Sequence, residues 1–350
     1  MTGDLRSLLG IDVPIVLGAF GGLSSVELTG LVSDRGGLGS YGLYGYTPER
    51  ITDTIDALRH RTDRPFAVNL WLPLPDEPGP DDSDAEFLTA RTSMEPLFAS
   101  LGLELPAPPP RYLPPFAEQI DAVLAAAPAA VSFVYGVPSA EVVAAAHQTG
   151  IVVIGTATTP DEAAALEKGG VDAVIASGAE AAGHRVSFIN AAEDSLIGTF
   201  ALVPQVVDAV TVPVIAAGGI ADRRGVAAAL ALGASAVQVG TAFLRTRQSA
   251  ATDAHRDAIA ATPAQGTVLT RAMSGRLARG IPNTAIRTIH AAAQIAPFPV
   301  QNWLTGQFRT EAARRNDGDL LSLWAGQAGQ LAYHLDADNL FTELAHGLSR

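Results

Sequence analysis

Eight short apolar runs recur along the chain, and each is followed by a stretch with the pattern of a helix. Runs that are apolar at every position suit strands buried on both faces, as in a parallel sheet. Eight consecutive strand–helix units predict an α/β fold, a (β/α)8 or TIM barrel, with an open doubly wound sheet as the alternative. The predicted strands are Val13–Gly18, Leu38–Tyr41, Pro65–Leu70, Ala130–Val134, Ile151–Gly155, Asp172–Ala176, Pro213–Ala217 and Ser235–Gly240.

Helix-start signals follow several of these runs. Ser24–Glu27 and Thr159–Glu162 fit the capping box, in which a hydroxyl and a carboxylate satisfy free backbone N–H groups at a helix start. Pro48 and Pro160 are placed at the first helical position, where the missing N–H of proline costs nothing. Asp222 is predicted to cap the helix after the seventh strand.

The chain is longer than a barrel requires. A barrel needs ~250 residues, whereas this chain has 350. We predict a barrel domain over residues 1–243, with an acidic, proline-rich insertion at 71–115 after the third strand. Residues 244–315 are expected to form a small helical lid, and residues 316–350 to form C-terminal helices, around Leu320–Ala332, that pack back on the barrel.

The composition excludes several classes of function. The chain has no cysteine, which excludes disulfides, a thiolate nucleophile and Cys-ligated metals. A net charge of −13 without a run of Lys or Arg argues against nucleic acid or an anionic membrane as partner. There is no bilayer-length apolar stretch and no signal-peptide core, so a cytoplasmic location and a small-molecule substrate are expected. No two histidines have metal-ligand spacing, so no metal is expected, and a homo-oligomer remains open.

The strongest local signal is a pair of glycine turns at the ends of the last two strands. The seventh strand runs into Gly218 and Gly219, and the eighth runs into Gly240 and Thr241. In barrels these loops often bind phosphate through backbone N–H groups, and glycine lets the backbone approach the ligand closely. The alternative is two tight turns without a ligand. The turn at Gly21 after the first strand adds another helix start to the same rim.

Polar side chains at two further strand ends could carry chemistry. The carboxamide of Asn69 can donate to and accept from a heterocycle edge, or it is simply a turn residue. His184 lies on the loop after the sixth strand, where a group titrating near neutral pH can act as acid or base, although loop histidines can also be inert. Glu180 is a weaker candidate, with an exposed carboxylate or a partner for Arg185 as alternatives. The remaining histidines are expected to face solvent: His60, His147, His255, His290, His334 and His346.

With their flanks, these motifs resemble the nitronate monooxygenase family, formerly called 2-nitropropane dioxygenases, which are FMN-dependent TIM barrels. The resemblance runs along most of the chain, in the family's order and spacing. The matching segments are Gly21–Ser24, Ser33–Gly39, Phe66–Leu70, Gly155–Thr159, Glu180–Arg185, Pro204–Asp208, Ala217–Ile220, Gln238–Phe243 and Ser274–Arg276, with Arg279 and Asn283.

The resemblance implies FMN as cofactor and an acid/base role for His184. It implies oxidation of alkyl nitronates, or related small acids, by O2 to a carbonyl compound and nitrite. The residues it assigns to FMN, or that lie in the same motifs, are Gly21, Asn69, Ser177, Gly183, Gly218, Gly219, Gln238, Gly240 and Thr241.

Three positions depart from the family's pattern. Ser177 stands where the family usually has a longer glutamine that contacts the flavin. Ala182 replaces the first of two glycines before the histidine, and Gly18–Gly22 replaces the usual Ala-Pro-Met-Gly-Gly. These changes predict a different substrate pocket and weaker FMN binding.

Two other functions remain open from the sequence. One is an NAD(P)H-dependent flavin oxidoreductase of the enoyl or quinone reductase type, because such relatives share the glycine turns and the histidine loop. The absence of a Gly-x-Gly-x-x-Gly fingerprint does not discriminate, since these relatives place the nicotinamide over the flavin. The other is a non-enzymatic barrel that binds a phosphorylated ligand or a flavin.

Overall fold

The computed structural model describes residues 4–74 and 84–348. Its main sheet has eight parallel strands, which we number one to eight in chain order. Each strand pairs with its chain neighbour, and the eighth pairs with the first. A parallel bridge between Val16 and Leu38 joins the first strand to the second. The strands are Ile15–Leu17, Gly39–Gly42, Phe66–Trp71, Ala130–Val134, Val152–Ala157, Ala173–Ser177, Val214–Ala217 and Ala236–Val239.

This pairing confirms the predicted TIM barrel and excludes the open sheet, because sequential strands are neighbours and the last returns to the first. Both faces of the strands are buried and mainly apolar. Ile15 and Leu17 pack outward with the surrounding helices, whereas Val16 belongs to an inner cluster with Ile154 and Ile215. The apolar side chains of the N-terminal helix Leu5–Leu9 join this inner cluster.

Seven helices connect consecutive barrel strands. Pro48 and Pro160 occupy the first turn of their helices, as predicted. Asp222 caps the helix after the seventh strand, with Oδ1 accepting from Arg224 N at 2.9 Å. The seven helices are Val26–Asp34, Pro48–Arg61, Phe116–Ala126, Ala140–Gln148, Pro160–Lys168, Thr199–Ala209 and Arg223–Ala231.

The two predicted capping boxes form differently. The helix Val26–Asp34 is capped by Ser25, one residue later than predicted. Ser24 Oγ instead accepts from the backbone N–H groups of Phe20 and Gly42. Glu162 is fully buried, and its carboxylate accepts from the N–H and hydroxyl of Thr158 rather than returning to the cap residue. Both side chains satisfy long-range or loop donors that the local pattern does not reveal.

A second hydrophobic core lies beside the barrel, and two parts of the chain distant in sequence build it. Phe87 and Phe98 come from the insertion, and they contact Trp303 and Phe308 with ring centroids 6.1 and 5.6 Å apart. Residues 75–83 of the predicted insertion lie outside the described part. The helices of this region are Asp84–Ser93, Glu95–Ser100, Thr241–Leu244, Asp253–Ala261, Thr284–Ala292 and Val300–Arg314.

The C-terminal helix is placed later than predicted. Around Leu320–Ala332 the chain forms only two short 3-10 turns, Gly318–Leu320 and Gly329–Leu331, which irregular chain joins. The regular helix is Ala337–Ala345, which contacts Val26–Asp34 and Arg223–Ala231 and so completes the ring of barrel helices. The remaining 3-10 turns are Ala192–Asp194, Ala264–Gly266 and His346–Leu348.

A small antiparallel sheet ties the loop after the sixth strand to the second core. Gly183–His184 pairs with Ala278–Gly280, which pairs in turn with Val268–Thr270. The loop that carries His184 is therefore held by backbone hydrogen bonds to a segment nearly 100 residues later. Over residues 4–74 and 84–348, no helix is long and apolar enough to cross a membrane.

Candidate active site

A cavity of about 480 Å³ opens at the carboxyl ends of the barrel strands. Parallel strands all end on the same rim of a barrel, so side chains and turns that follow them converge there. The structure brings together all ten residues that the sequence singled out: Gly21, Asn69, Ser177, Gly183, His184, Gly218, Gly219, Gln238, Gly240 and Thr241.

The glycine turn after the seventh strand requires glycine. The φ angles of Gly218 and Gly219 are +106° and +72°, in the region that side chains disfavour. A Cβ on Gly219 would meet only Glu180 atoms, at 3.7–3.8 Å, so one face of this turn is open to the cavity. Both carboxylate oxygens of Glu180 accept from the N–H of Thr199, at 2.9 and 3.0 Å. Glu180 therefore caps a helix and does not hydrogen-bond to Arg185.

The turn after the eighth strand places a hydroxyl and a carboxamide on the same wall. Thr241 Oγ1 accepts from Gly326 N at 2.9 Å, which leaves its own proton available to a ligand. Gln238 Nε2 makes only a long contact of 3.5 Å to Leu17 O. Both groups can therefore reorganise toward a bound polar molecule.

Asn69 is buried and held in a fixed orientation. Its Nδ2 donates to Ser132 O at 3.1 Å and to Ser132 Oγ at 3.0 Å. Among the described residues nothing donates to its Oδ1, and Asn69 lines the cavity. This carbonyl oxygen is therefore free to accept a hydrogen bond from a donor in the cavity.

Arg185 fastens the loop that carries His184. Its side chain is buried, and it donates from Nη1 to Gly178 O at 2.7 Å and from Nη2 to Ser177 O at 2.9 Å. Burial lowers the pKa of Arg185 to about 10, so the guanidinium stays charged at neutral pH. These two charge-assisted bonds fix the end of the sixth strand.

Replacing Arg185 by methionine is expected to lower the free energy of unfolding by about 2–4 kcal/mol, because the carbonyls of Ser177 and Gly178 each lose a charge-assisted hydrogen bond. Urea unfolding followed by circular dichroism measures this. Arg6→Met, at an exposed arginine, should change stability by less than about 0.5 kcal/mol. Equal effects of the two substitutions would contradict the anchoring role of Arg185.

His184 forms part of the cavity wall between two tryptophans. Its ring lies 4.8 Å from Trp71 and 5.4 Å from Trp324, centroid to centroid. Nε2 lies 2.8 Å from Ser274 Oγ, which fixes the ring's orientation. Burial, together with the positive charge of Arg309, lowers the pKa of His184 to about 3. The imidazole is therefore neutral at physiological pH and can accept a proton.

Several cavity residues escaped the sequence analysis. Trp71 lies two residues after Asn69 on the same strand, so strand alternation could have placed both side chains on one side. Tyr44, Asn302 and Arg309 carry no local signal, because a loop and a distant helix bring them to the cavity. Their place follows from packing of the second core on the barrel.

The prediction that six histidines face solvent is wrong for one of them. His255 is only 2% exposed, and its Nε2 lies 2.9 Å from Trp324 O. Its helix turns this position toward the second core, which the local pattern did not show. Burial and the charge of Arg256 lower the pKa of His255 to about 4, and the contact with Trp324 O acts in the opposite direction. Of the others, His334 is half-buried and the rest are exposed: His60, His147, His290 and His346.

Acidification is expected to destabilise the protein from pH 6.5 downward. Unfolded histidines have a pKa near 6.5, whereas His184 and His255 titrate near 3 and 4 in the folded state. Near pH 5 unfolding therefore takes up about two protons, and the free energy of unfolding falls as pH falls. In His255→Gln the uptake should drop to about one, measured as the slope of unfolding free energy against pH at constant FMN. An unchanged slope would show that His255 titrates normally.

An eight-stranded parallel barrel with a cavity at the carboxyl ends of its strands places the chain in the class of TIM-barrel enzymes. Within that class, the chain belongs to the nitronate monooxygenase family, whose model matches residues 3–347. This confirms the resemblance predicted from the motifs. Members of the family depend on a flavin, and the chain is an oxidoreductase of that type.

Known relatives agree with this assignment over nearly the whole chain. A probable nitronate monooxygenase of Staphylococcus aureus strain Newman is 37% identical over 348 residues, which cover 99% of this chain and 97% of that protein. The structure of nitroalkane oxidase from Streptomyces ansochromogenes matches with a TM-score of 0.90 and 36% identity, covering 99% and 98% of the two chains. FabK from Thermotoga maritima matches with a TM-score of 0.75 and 27% identity, covering 99% and 96%.

Proposed function

We propose that the protein binds FMN and oxidises small alkyl nitronates with O2 to a carbonyl compound and nitrite. The observation that carries this proposal is that the glycine turns, Asn69 and the oriented imidazole of His184 converge on one rim cavity. A neutral imidazole can take a proton from carbon, and it does not need to lose one first. Small nitro compounds match this site because their acidic proton lies on the carbon beside the nitro group.

The residues present fit FMN. The open glycine turns, at Gly219 and Gly240, would face the phosphate together with the hydroxyl of Thr241. Asn69 Oδ1 and the weakly held carboxamide of Gln238 would meet the polar edge of the ring. When bound, FMN supplies the redox chemistry, taking electrons from the substrate and passing them to O2.

The protein's own part in the reaction is to exclude water and to handle a proton. Trp71 and Trp324 flank His184 with apolar surface, and this surrounding keeps the imidazole uncharged. With a neutral nitroalkane, the imidazole accepts the proton from the carbon. With a preformed nitronate, that step is not needed, and the side chain only positions the anion.

An absorption spectrum of the purified protein, followed by anaerobic additions, tests the proposal. We expect a flavin spectrum that ethylnitronate bleaches and that NADH and NADPH leave unchanged. In air, nitrite should accumulate in about equal amount to the nitronate consumed. Bleaching by NAD(P)H without bleaching by nitronate would assign the protein to the reductases, and failure to bind FMN would overturn the proposal.

A flavin reductase that uses NAD(P)H is the second candidate function. The similarity to FabK, at 27% identity over 96% of that chain, favours it. The similarity to nitroalkane oxidase is greater in both identity and TM-score. Nitronate oxidation is therefore the first candidate, and the anaerobic experiment discriminates between them.

A further inference from the structure

One cation lines the cavity from outside the barrel. Arg309 lies on the helix Val300–Arg314, which belongs to the second core, and its side chain reaches the cavity that also contains His184. No carboxylate of the described residues lies within ion-pair distance of it. Burial lowers the pKa of Arg309 to about 10, so it stays positively charged at neutral pH.

Neutral groups hold this guanidinium in place. Nη2 donates to Asn302 O and Asn302 Oδ1, both at 2.9 Å, and Nη1 donates to Ser322 Oγ at 3.0 Å. Asn302 is fixed in turn, because its Nδ2 donates to Tyr44 Oη at 2.8 Å. One hydrogen of Nη1 has no acceptor among the described residues, and the buried Nε has none either. A desolvated, oriented cation without a counterion is a site for an anion.

The other charged groups that line the cavity are already engaged. Glu180 caps a helix next to the glycine turn, and Arg50 stacks on Tyr46 with its guanidinium carbon 3.7 Å from the ring centroid. Arg309 and His184 line the same cavity. A negative group bound in this cavity would therefore meet the positive charge of Arg309.

We propose that Arg309 binds the anionic nitronate group of the substrate in the cavity that His184 also lines and makes the site prefer nitronate anions to neutral nitroalkanes. The proposal rests on the proposed function for the identity of the anion. The anion site itself follows from the placement of Arg309 and does not need turnover. A planar, singly charged ligand whose oxygens accept from a guanidinium N–H fits this site.

Nitrate is a suitable probe, because it is planar, singly charged and not oxidised. Titration of the FMN-bound protein with nitrate, followed by the flavin absorption difference spectrum, gives the nitrate dissociation constant. We expect Arg309→Met to raise that constant by at least about tenfold, since one charge-assisted hydrogen bond and the counterion are lost. Arg309→Lys, which restores the charge, should recover part of the affinity.

Steady-state kinetics with ethylnitronate and nitroethane, which share the same carbon skeleton, complete the test. In Arg309→Met the KM for ethylnitronate should rise at least about tenfold, whereas the KM for neutral nitroethane should change less than about twofold. Arg245→Lys is the matched control, because its Nε is also buried without a partner among the described residues and it does not line the cavity. That variant should keep both constants.

The outcomes separate the two proposals. Unchanged nitrate affinity and unchanged nitronate KM in Arg309→Met would overturn the role of Arg309. If that variant does not hold FMN, Arg309→Gln, which is neutral but can still donate to Asn302, decides by the same two measurements. If nitrate binding depends on Arg309 but ethylnitronate does not bleach the flavin, the proposal of nitronate oxidation is overturned. The proposal of an anion site at Arg309 is then retained.

Discussion

Replacing His184 by asparagine is expected to lower kcat/KM for neutral nitroethane by about 10²–10⁴-fold, because the group that accepts the carbon-bound proton is lost. Asparagine can still reach toward Ser274, which contacts the imidazole at 2.8 Å in the native protein. FMN should therefore remain bound, with an unchanged absorption spectrum. His60→Asn, on an exposed helix position, should keep native turnover.

The pH dependence gives an independent check on the same residue. A base must be deprotonated to act, and burial keeps the pKa of His184 near 3. Activity toward nitroethane should therefore not fall as pH is lowered from 8 to 5, and loss through this group begins only near pH 3. A decline centred near pH 6.5, or native turnover in His184→Asn, would contradict the role assigned to the imidazole.

A methyl group on Gly219 is expected to weaken FMN binding by at least about tenfold. The residue has a φ of +72° and lines the cavity, so the added Cβ both strains the turn and reduces the close approach of a phosphate. Calorimetric titration with FMN gives the dissociation constant of Gly219→Ala.

Gly150 offers a matched control for the strain alone. Its φ is +76°, and a Cβ there would meet no atom within 4 Å. Gly150→Ala and Gly219→Ala should each lower the free energy of unfolding by about 1 kcal/mol. Only the second should change FMN affinity. Equal FMN affinity in both variants would exclude the turn at Gly219 from the cofactor site.

The barrel was predictable because its signals are local. A strand buried on both faces must be apolar throughout, and a helix must begin with a group that satisfies its free N–H groups, so short windows of sequence reveal both. The observed strands, among them Phe66–Trp71 and Val214–Ala217, begin and end within a few residues of the predicted strands. The rim cavity was predictable for the same reason, since the topology places every strand end on one side.

The sequence did not reveal contacts between residues that lie far apart in the chain. The pairing of Phe87 with Trp303, the burial of His255 and the reach of Arg309 all depend on how the second core packs beside the barrel. An amphipathic pattern shows that a helix has an apolar face, but it does not show which surface covers that face.

The sequence by itself determined the fold through local strand and turn patterns, and it determined the family through its motifs. Ser177, Gly183 and Gln238 were assigned to the cavity only by the resemblance to that family. Only the tertiary structure decided the burial of His184, which lowers the pKa of its imidazole, and the presence of Arg309 in the same cavity. Both depend on how the tryptophans at His184 and the helix that carries Arg309 pack around the rim, which is a property of packed atoms in space.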